Sequence, residues 1–564
     1  MKKNVLEVLN KLISNYKLDG YIIPKNDSFF TEQVIYDRLK LVSNFSGSAG
    51  LAIVSKKINY LFVDNRYTIQ AKLESRKNFK IIKIHKKLPK DLIKDKVLGF
   101  DPKLFTNSQL SYLFGNKIKL IPIKENLIDQ IFKKKQKKEK PFYSIPDTVV
   151  GYNHKKKINL VSKYLKSKKA DFLYISAPEN VAWLLNIRGY DTPCSPLPNC
   201  NLILSKSKKF YLIAQKYKTK KLLLEKKIFL EQIIEKKNLE NFINTLKGKK
   251  IIVDYKTLSI YNENIIKSKF SIIEKTDPCY LFKSKKNSIE IKNMMQSHIK
   301  DGVAMTKFIY WIKNLKNKIT ELDAEKKLEE FRKKDKNYLF PSFNTIAGTG
   351  SNGAIVHYRA TSKTNKIIKK NDIFLCDSGG QYKYGTTDVT RTLCFAKQTK
   401  KIKDIFTLVL KGHIAVATSD LTKYNTGQKL DILARKFLKR FNYDYGHGTG
   451  HGVGYFLNVH EGPQSISKFN NVKLSEGMIL SNEPGFYKEG KFGIRIENLI
   501  YVKKKDKKLF FENLTLAPID KDLINYKMLN NKEKDYLFRY HLLVYSKISK
   551  FLSKNEKSWL IKNF

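Results

Sequence analysis

The sequence predicts two α/β units followed by a larger α+β unit, and three observations carry that expectation. The charge run from Lys133 to Lys140, closed by Pro141 with Pro146 just beyond, reads as a solvated linker. A second break, Lys283 to Lys286, follows Pro278 and precedes Asn287, whose Glu290 partner three residues on marks a capped helix start. Beyond it the texture changes. Residues 372–395 and 478–503 alternate polar and apolar positions around Gly-rich turns, as antiparallel hairpins do. The expected boundaries are therefore 1–143, 144–286 and 287–564.

The first two segments read as one plan used twice. Asp19-Gly20-Tyr21-Ile22-Ile23-Pro24 parallels Asp171-Phe172-Leu173-Tyr174-Ile175-Ser176, both short buried-strand patterns. A helical stretch follows each, then Asn44-Phe45-Ser46-Gly47 in one and Asn186-Ile187-Arg188-Gly189 in the other. Two strand-like runs split by a lysine turn close both, at 51–67 and 202–217. Neither segment carries a catalytic constellation of its own. In the third segment, apolar residues from Ile291 to Ile312 continue the capped helix. Its end is helical too, with Leu537, His541, Leu542, Tyr545, Ile548, Phe551 and Leu552 at helical spacing, a stripe that core packing or a dimer contact explains.

Composition narrows the function classes. At 564 residues the chain exceeds what one hydrophobic core serves, and 42% hydrophobic content marks it as packed rather than disordered. No apolar run approaches the roughly 18–20 residues of a membrane span, so no membrane partner is expected. Glu7 and Asn10 interrupt the stretch where a signal peptide has its apolar core, which predicts a cytoplasmic protein. The cysteines Cys194, Cys200, Cys279, Cys376 and Cys394 are scattered, with no Cys-x-x-Cys spacing, and are expected as buried, inert thiols in a reducing compartment. A formal net charge of +57 would attract nucleic acid if it were focused on one face. The lysines instead run along the whole chain beside many Asn and Ile, as A/T-rich codons produce, and no basic-aromatic module appears. No specific nucleic-acid partner is expected.

Chemistry concentrates between 372 and 498. In Asp372-Ile373-Phe374-Leu375-Cys376-Asp377-Ser378-Gly379-Gly380-Gln381-Tyr382-Lys383-Tyr384-Gly385-Thr386-Thr387-Asp388, a turn centred between Tyr382 and Lys383 places Asp377 and Asp388 opposite each other. Facing Cβ atoms lie roughly 4.5–5.5 Å apart, and two like charges there repel unless a proton or cation sits between them. The same count around Gly490 sets Glu483 opposite Glu497. Between these hairpins lie Gly446-His447-Gly448-Thr449-Gly450-His451-Gly452 and Asn458-Val459-His460-Glu461-Gly462-Pro463. His447 and His451 have the i, i+4 spacing of a helical metal motif, but the interspersed glycines exclude a stable helix. If extended, the segment spans roughly 13 Å, so one metal pair reaches at most one of the two histidines. A phosphate-cradling loop would need a lysine and a following helix, and neither is present. Two mirrored carboxylate pairs flanking histidines point to a metal site.

These motifs resemble the creatinase/methionine-aminopeptidase ("pita-bread") metallopeptidase family. With two smaller α/β domains ahead of the pita-bread domain, the chain is similar to the long, three-domain Xaa-Pro aminopeptidases. Cys-Asp-Ser-Gly-Gly-Gln-Tyr, Gly-Thr-Thr-Asp-Val-Thr-Arg-Thr, Gly-His-Gly-Thr-Gly-His-Gly, Asn-Val-His-Glu-Gly-Pro, Asn-Glu-Pro-Gly-Phe-Tyr and Gly-Ile-Arg-Ile-Glu-Asn carry the likeness. Phe45-Ser46-Gly47-Ser48-Ala49-Gly50 and Asp64-Asn65-Arg66-Tyr67 resemble the N-terminal domain, with Asn65 where Gly is usual. Pro178-Glu179-Asn180 also departs from the family's usual Leu-Asp pattern.

The resemblance implies two divalent metal ions held by Asp377, Asp388, His451, Glu483 and Glu497, and it is what selects His451 over His447. Mn²⁺ is the family's usual metal, and the hard donor set also suits Co²⁺, Fe²⁺ or Zn²⁺. His357, His447 and His460 are implied to contact substrate, Glu483 to relay a proton, and Arg495 to orient the carboxylates. The implied activity is removal of an N-terminal residue preceding proline, by a metal-bridging hydroxide, in a homodimer. The rivals are a prolidase cutting Xaa-Pro dipeptides and a non-catalytic pita-bread binding module. The two extra domains favour the aminopeptidase over the first, and retention of all five ligands disfavours the second.

Overall fold

A computed structural model describes residues 5–116, 118–132 and 140–562, which divide into two compact units meeting between Tyr280 and Leu281. The charge run expected as a linker falls almost wholly outside the described residues.

The first unit contains two six-stranded sheets of one topology. Strands β1 (Gly20–Pro24), β2 (Leu51–Ser55), β3 (Tyr60–Val63), β4 (Lys80–Lys83), β5 (Val97–Phe100) and β6 (Lys119–Pro122) are ordered β4-β3-β2-β1-β5-β6. Strands β7 (Phe172–Ile175), β8 (Asn201–Ser205), β9 (Phe210–Ile213), β10 (Ile233–Ile234), β11 (Lys250–Val253) and β12 (Ser271–Glu274) repeat it as β10-β9-β8-β7-β11-β12. Strand directions match as well: the central strand is antiparallel to β2 or β8 and parallel to β5 or β11. The central strands are buried throughout, which explains why both read as short continuous apolar runs rather than alternating ones. The helices Arg38–Ser43 and Pro178–Leu185 both end on an asparagine in the left-handed conformation, Asn44 at φ 63° and Asn186 at φ 53°. Asn tolerates that region, so the repeated asparagines mark equivalent chain reversals.

The second unit opens with α1 (Ser288–Lys313), capped by Asn287 and Glu290 in a reciprocal box, and α2 (Glu321–Lys333). A three-stranded sheet follows, β13 (Ile346–Thr349), β14 (Ile373–Ser378) and β15 (Val389–Cys394), with β14 central. Helices α3 (Lys400–Ala417) and α4 (Gly427–Lys439) come next. A five-stranded sheet is then built from β16 (Gly450–Gly452), β17 (Glu461–Ile466), β18 (Ile479–Asn482), β21 (Asn498–Lys505) and β22 (Lys508–Asn513), ordered β17-β16-β18-β21-β22. The hairpin β19 (Gly485–Lys488) and β20 (Phe492–Arg495) projects from β18 and β21.

Helix α3 and the C-terminal helix α5 (Asn531–Ile548) share one core with that hairpin. Phe406, Val409 and Leu410 of α3 pack with Phe486, Ile494 and Ile496, and with Leu537, Tyr540, Val544 and Ile548 of α5. Each such side chain contributes about 1.5–3 kcal/mol by leaving water, so the helices hold the hairpin in place. The expected periodic stripe is only partly core and outruns the helix: Leu537, His541 and Ile548 of α5 are buried and Leu542 is 48% exposed, while Phe551, 49% exposed, lies in the short turn Ser549–Phe551 beyond it. All five cysteines are buried and outside any disulfide, and burial pushes the Cys376 and Cys394 thiols up to about 12, so they stay neutral.

Candidate metal centre

The first carboxylate hairpin differs from the sequence count. Asp377 lies opposite Thr390 and Ser378 opposite Val389, and the same register continues through Gln381–Thr386 and Tyr382–Gly385. The turn is therefore Lys383-Tyr384, one residue later than expected, and two-residue loops are the commonest that antiparallel strands accept. Asp388 is thus diagonal to Asp377, not directly opposite. The two still share a face, because the shift moves the pairing by two positions and side chains alternate with period two. Diagonal neighbours sit about 7 Å apart, within reach of two converging carboxylates.

The second hairpin keeps the counted register. Asn482 pairs Asn498 on one side and Gly485 pairs Arg495 on the other, so Glu483 and Glu497 face each other in the gap between the ladders. Ile496 N–H donates to the Pro484 carbonyl across that gap (3.3 Å). Gly490 makes the turn with φ +70°, which only glycine adopts freely.

Strand β15 joins the two hairpins. The Thr390 hydroxyl donates to Glu497 Oε2 (2.6 Å) and accepts from Arg495 Nε (3.1 Å), while the Thr392 hydroxyl donates to the Arg495 carbonyl (2.9 Å). Strand β16 brings His451 to the same place. A Cβ on Gly450 would stand 1.9 Å from the Ser481 carbonyl, so only glycine lets β16 lie this close to β18. His451 Nδ1–H donates to the Gly452 carbonyl (2.9 Å), which leaves Nε2 with its lone pair 3.5 Å from Asp388 Oδ2 and 3.5 Å from Glu483 Oε1. Donor atoms of Asp388, His451 and Glu497 all lie within 4.8 Å of one another.

The electrostatics of this cluster call for a proton or a cation among its carboxylates. Burial, then Asp377 and Glu483, hold the Asp388 carboxyl well above the usual carboxylate range. Burial, then Asp388 and Glu483, do the same to Glu497, and burial raises Glu483. Arg495 and Arg332 answer the Asp388 charge, and Arg495 donates to Asp377 Oδ2 (2.5 Å) and to the Tyr487 hydroxyl (2.6 Å). Burial opposes the Arg495 charge, but Tyr487, Asp377 and the glutamates outweigh it and hold its pKa well above the ordinary value. Asp377 Oδ1 and Asp388 Oδ1 are buried without any hydrogen-bond partner. A buried, unpaired carboxylate oxygen is costly, and two of them in a cluster that also holds an imidazole lone pair and two glutamates fit divalent metal ions.

The other histidines lie around this cluster. The His460 ring packs edge-on against His451, centroids 4.1 Å apart, and is exposed. His447 is set back: its Nε2 meets the Tyr487 hydroxyl (2.9 Å) and Nδ1–H donates to the Gly448 carbonyl (2.7 Å). His357 is half-buried and follows Val356, whose carbonyl is 3.5 Å from the Arg495 guanidinium.

Two residues in these motifs received no role from the sequence. Tyr487 shares a strand face with Glu483, two and four positions along, a periodicity that would have nominated it. Arg391 is 1% exposed and donates to the carbonyls of Thr390, Glu497, Ala517 and Pro518, to Asn498 Oδ1 and to the Tyr540 hydroxyl of α5. Nothing local signals it, since most of these partners lie more than 100 residues away.

Fold and site together define a metallopeptidase of the M24 class. "Metallopeptidase family M24" matches residues 292–504 and its C-terminal region 507–564, while "Creatinase/Prolidase N-terminal domain" matches twice, at 6–131 and 133–290. A Laccaria bicolor protein named "Probable Xaa-Pro aminopeptidase P" is 35% identical over 594 residues, covering 98% of this chain and 92% of that protein. The X-prolyl aminopeptidase of Caenorhabditis elegans, described as a cytosolic enzyme with a di-nuclear active site, superposes with a TM-score of 0.92 at 29% identity, over 100% of this chain and 99% of that one. A prolidase from Thermococcus sibiricus (26% identity, TM-score 0.53) covers 98% of its own length but 65% of this chain. The chain belongs to the Xaa-Pro aminopeptidase P family.

A consequence follows for metal-free protein. Carboxyls whose folded pKa is raised contribute stability while protonated and lose it as the pH rises through that raised range; a bound cation removes the loss. The gap in Tm between metal-loaded and chelator-stripped protein is expected to widen as the pH rises from about 5 to about 8. A gap that narrows over that range in scanning calorimetry would contradict a carboxylate metal site.

Proposed function

We propose that this chain hydrolyses the bond between an N-terminal residue and a following proline, with Asp377, Asp388, His451, Glu483 and Glu497 holding two divalent metal ions. The observation that carries this reading is the gathering of donor atoms of Asp388, His451 and Glu497 within 4.8 Å of one another, together with the orphaned Oδ1 atoms of Asp377 and Asp388. Bound there, a metal pair supplies Lewis-acid polarisation of the scissile carbonyl and a nucleophilic water at neutral pH. The chain's own groups do the rest. Glu483 takes the proton of the attacking water and passes it to the departing proline nitrogen. His357 and His460 donate to the carbonyl oxygen as it gains charge. Arg495 fixes Asp377, and Tyr487 fixes Arg495. Proline explains a dedicated enzyme, because the Xaa-Pro bond lacks the N–H that ordinary peptidases hold and the ring fixes φ.

Mn²⁺ is the metal we assign, as hard carboxylates outnumber the single imidazole. A three-domain division at 143/144 and 286/287, a homodimer and a cytoplasmic location complete the reading. The location is supported by the cytosolic C. elegans relative and by the lack of any helix, among the described residues, long and apolar enough to cross a membrane. The two creatinase-type N-terminal matches favour the aminopeptidase over the prolidase.

The test is substrate length. Peptides of three or more residues with proline second and a free N-terminus are expected to be cut fastest, and N-acetylation to block cleavage. Mn²⁺-loaded enzyme assayed with Arg-Pro-Pro-type peptides beside an Xaa-Pro dipeptide decides it; a marked preference for the dipeptide would make the chain a prolidase.

A further inference from the structure

Outside the metal cluster, the buried titratable group with the most pointed surroundings is His413. It lies on α3, which packs on β18, β19 and β20, and it is fully buried. Its Nδ1–H donates to the Asn482 carbonyl (3.0 Å), and Asn482 Nδ2 returns a bond to the His413 carbonyl (2.9 Å). The other ring nitrogen, Nε2, is buried without a hydrogen-bond partner. Burial, then Arg391, hold the imidazole down to about 3, so it is neutral and carries one N–H. Asn482 is the residue immediately before Glu483. One rigid aromatic side chain is therefore tied to the backbone just ahead of Glu483, from the side of the hairpin that faces the helices.

That placement has a mechanical meaning. Glu483 and Glu497 sit in the gap between two ladders, where the strand hydrogen bonds that fix neighbouring residues are interrupted. In that gap the chain is secured by the Ile496–Pro484 bond, by Glu483 N–H to the Thr449 carbonyl (2.8 Å) and by Glu497 N–H to the Thr390 carbonyl (3.2 Å). His413 adds a fixed strut from helix α3. Two carboxylates that would hold the same metal pair would tolerate little relative movement, because ligand distances are set within a few tenths of an ångström.

We propose that His413 is a positioning residue for the metal centre, setting the position of Glu483 relative to Glu497 through the backbone of Asn482. The proposal rests on the ligand assignment given above. It predicts that loss of the strut weakens metal binding and turnover without altering how the peptide is gripped.

The experiment is calorimetric titration of chelator-stripped protein with Mn²⁺, with steady-state kinetics on an Xaa-Pro-Pro peptide. His413→Leu is expected to lose roughly 10–100-fold in metal affinity and to lower kcat with KM little changed. His413→Gln, which keeps a donor towards Asn482, is expected to recover most of both. Asn482→Ala removes the return bond without touching the ring and is expected to move both quantities the same way, which covers failure of His413→Leu to fold. His541→Leu is the control: this histidine is equally buried and accepts from Ile519 N–H (3.1 Å), a residue outside both hairpins. It is expected to lower Tm while binding Mn²⁺ normally. Wild-type metal affinity in both His413→Leu and Asn482→Ala, equal metal loss in His541→Leu, or no rescue by Gln would each overturn the proposal. Glu483→Gln separates it from the ligand assignment: if that variant binds two Mn²⁺ ions as wild type does, the assignment itself fails.

Discussion

Replacing Asp388 with Asn is expected to lower kcat/KM by at least about a thousandfold, equivalent to about 4 kcal/mol, without unfolding the chain. The substitution is isosteric, so packing around this buried position is kept. What changes is charge and donor type: an amide N–H₂ replaces an oxygen within 3.5 Å of His451 Nε2, and the cluster loses one of its acceptors. Metal content should fall with the rate. Stability gives a second readout of opposite sign. In chelator, the variant should match or exceed wild type in Tm, because one of several repelling carboxylates has become neutral. With Mn²⁺ added, wild type should gain more than the variant. Elemental analysis and paired melting curves measure both effects, and a variant with full activity and two ions would remove Asp388 from the ligand set.

The two hairpins show what the sequence could and could not disclose. The Glu483–Glu497 register was legible because Gly490 is the residue a positive φ requires, so the turn could be placed and the partners counted outwards. The Asp377–Asp388 register was misjudged by one turn residue, because Lys383-Tyr384 carries neither Gly nor Asn and nothing in its chemistry marks the centre. The face was still right, since an error of two in the pairing preserves the side. The twin sheets of the first unit were visible through their buried central strands and their asparagine caps, all local features. Arg391 and His413 were not. Each acts through distant carbonyls or through another side chain, and such partners leave no periodicity to read. Helix α5 lies between these cases: spacing gave the helix, but Leu542, and Phe551 beyond its end, face solvent because periodicity sets a stripe and not its limits.

The two histidines of the glycine-rich segment should separate cleanly. The segment is not helical; His451 opens onto Asp388 and Glu483, while His447 ends on the Tyr487 hydroxyl, from which Arg495 and then Asp377 follow. His447 is thus linked to Asp377 through two intervening side chains, Tyr487 and Arg495. His451→Ala is expected to lose metal affinity outright, and excess Mn²⁺ should restore little activity, because the Nε2 lone pair has no substitute nearby. His447→Ala should keep both ions and lose rate by roughly 10–100-fold, the usual cost of removing a group that orients a metal site from behind. Its defect should also be shared by Tyr487→Phe, since both break the same chain to Arg495, and the double variant should be little worse than either single one. Titration calorimetry and kcat on the three variants test this. Equal metal loss in His451→Ala and His447→Ala would mean that both rings reach the ions and that the five-residue ligand set is wrong.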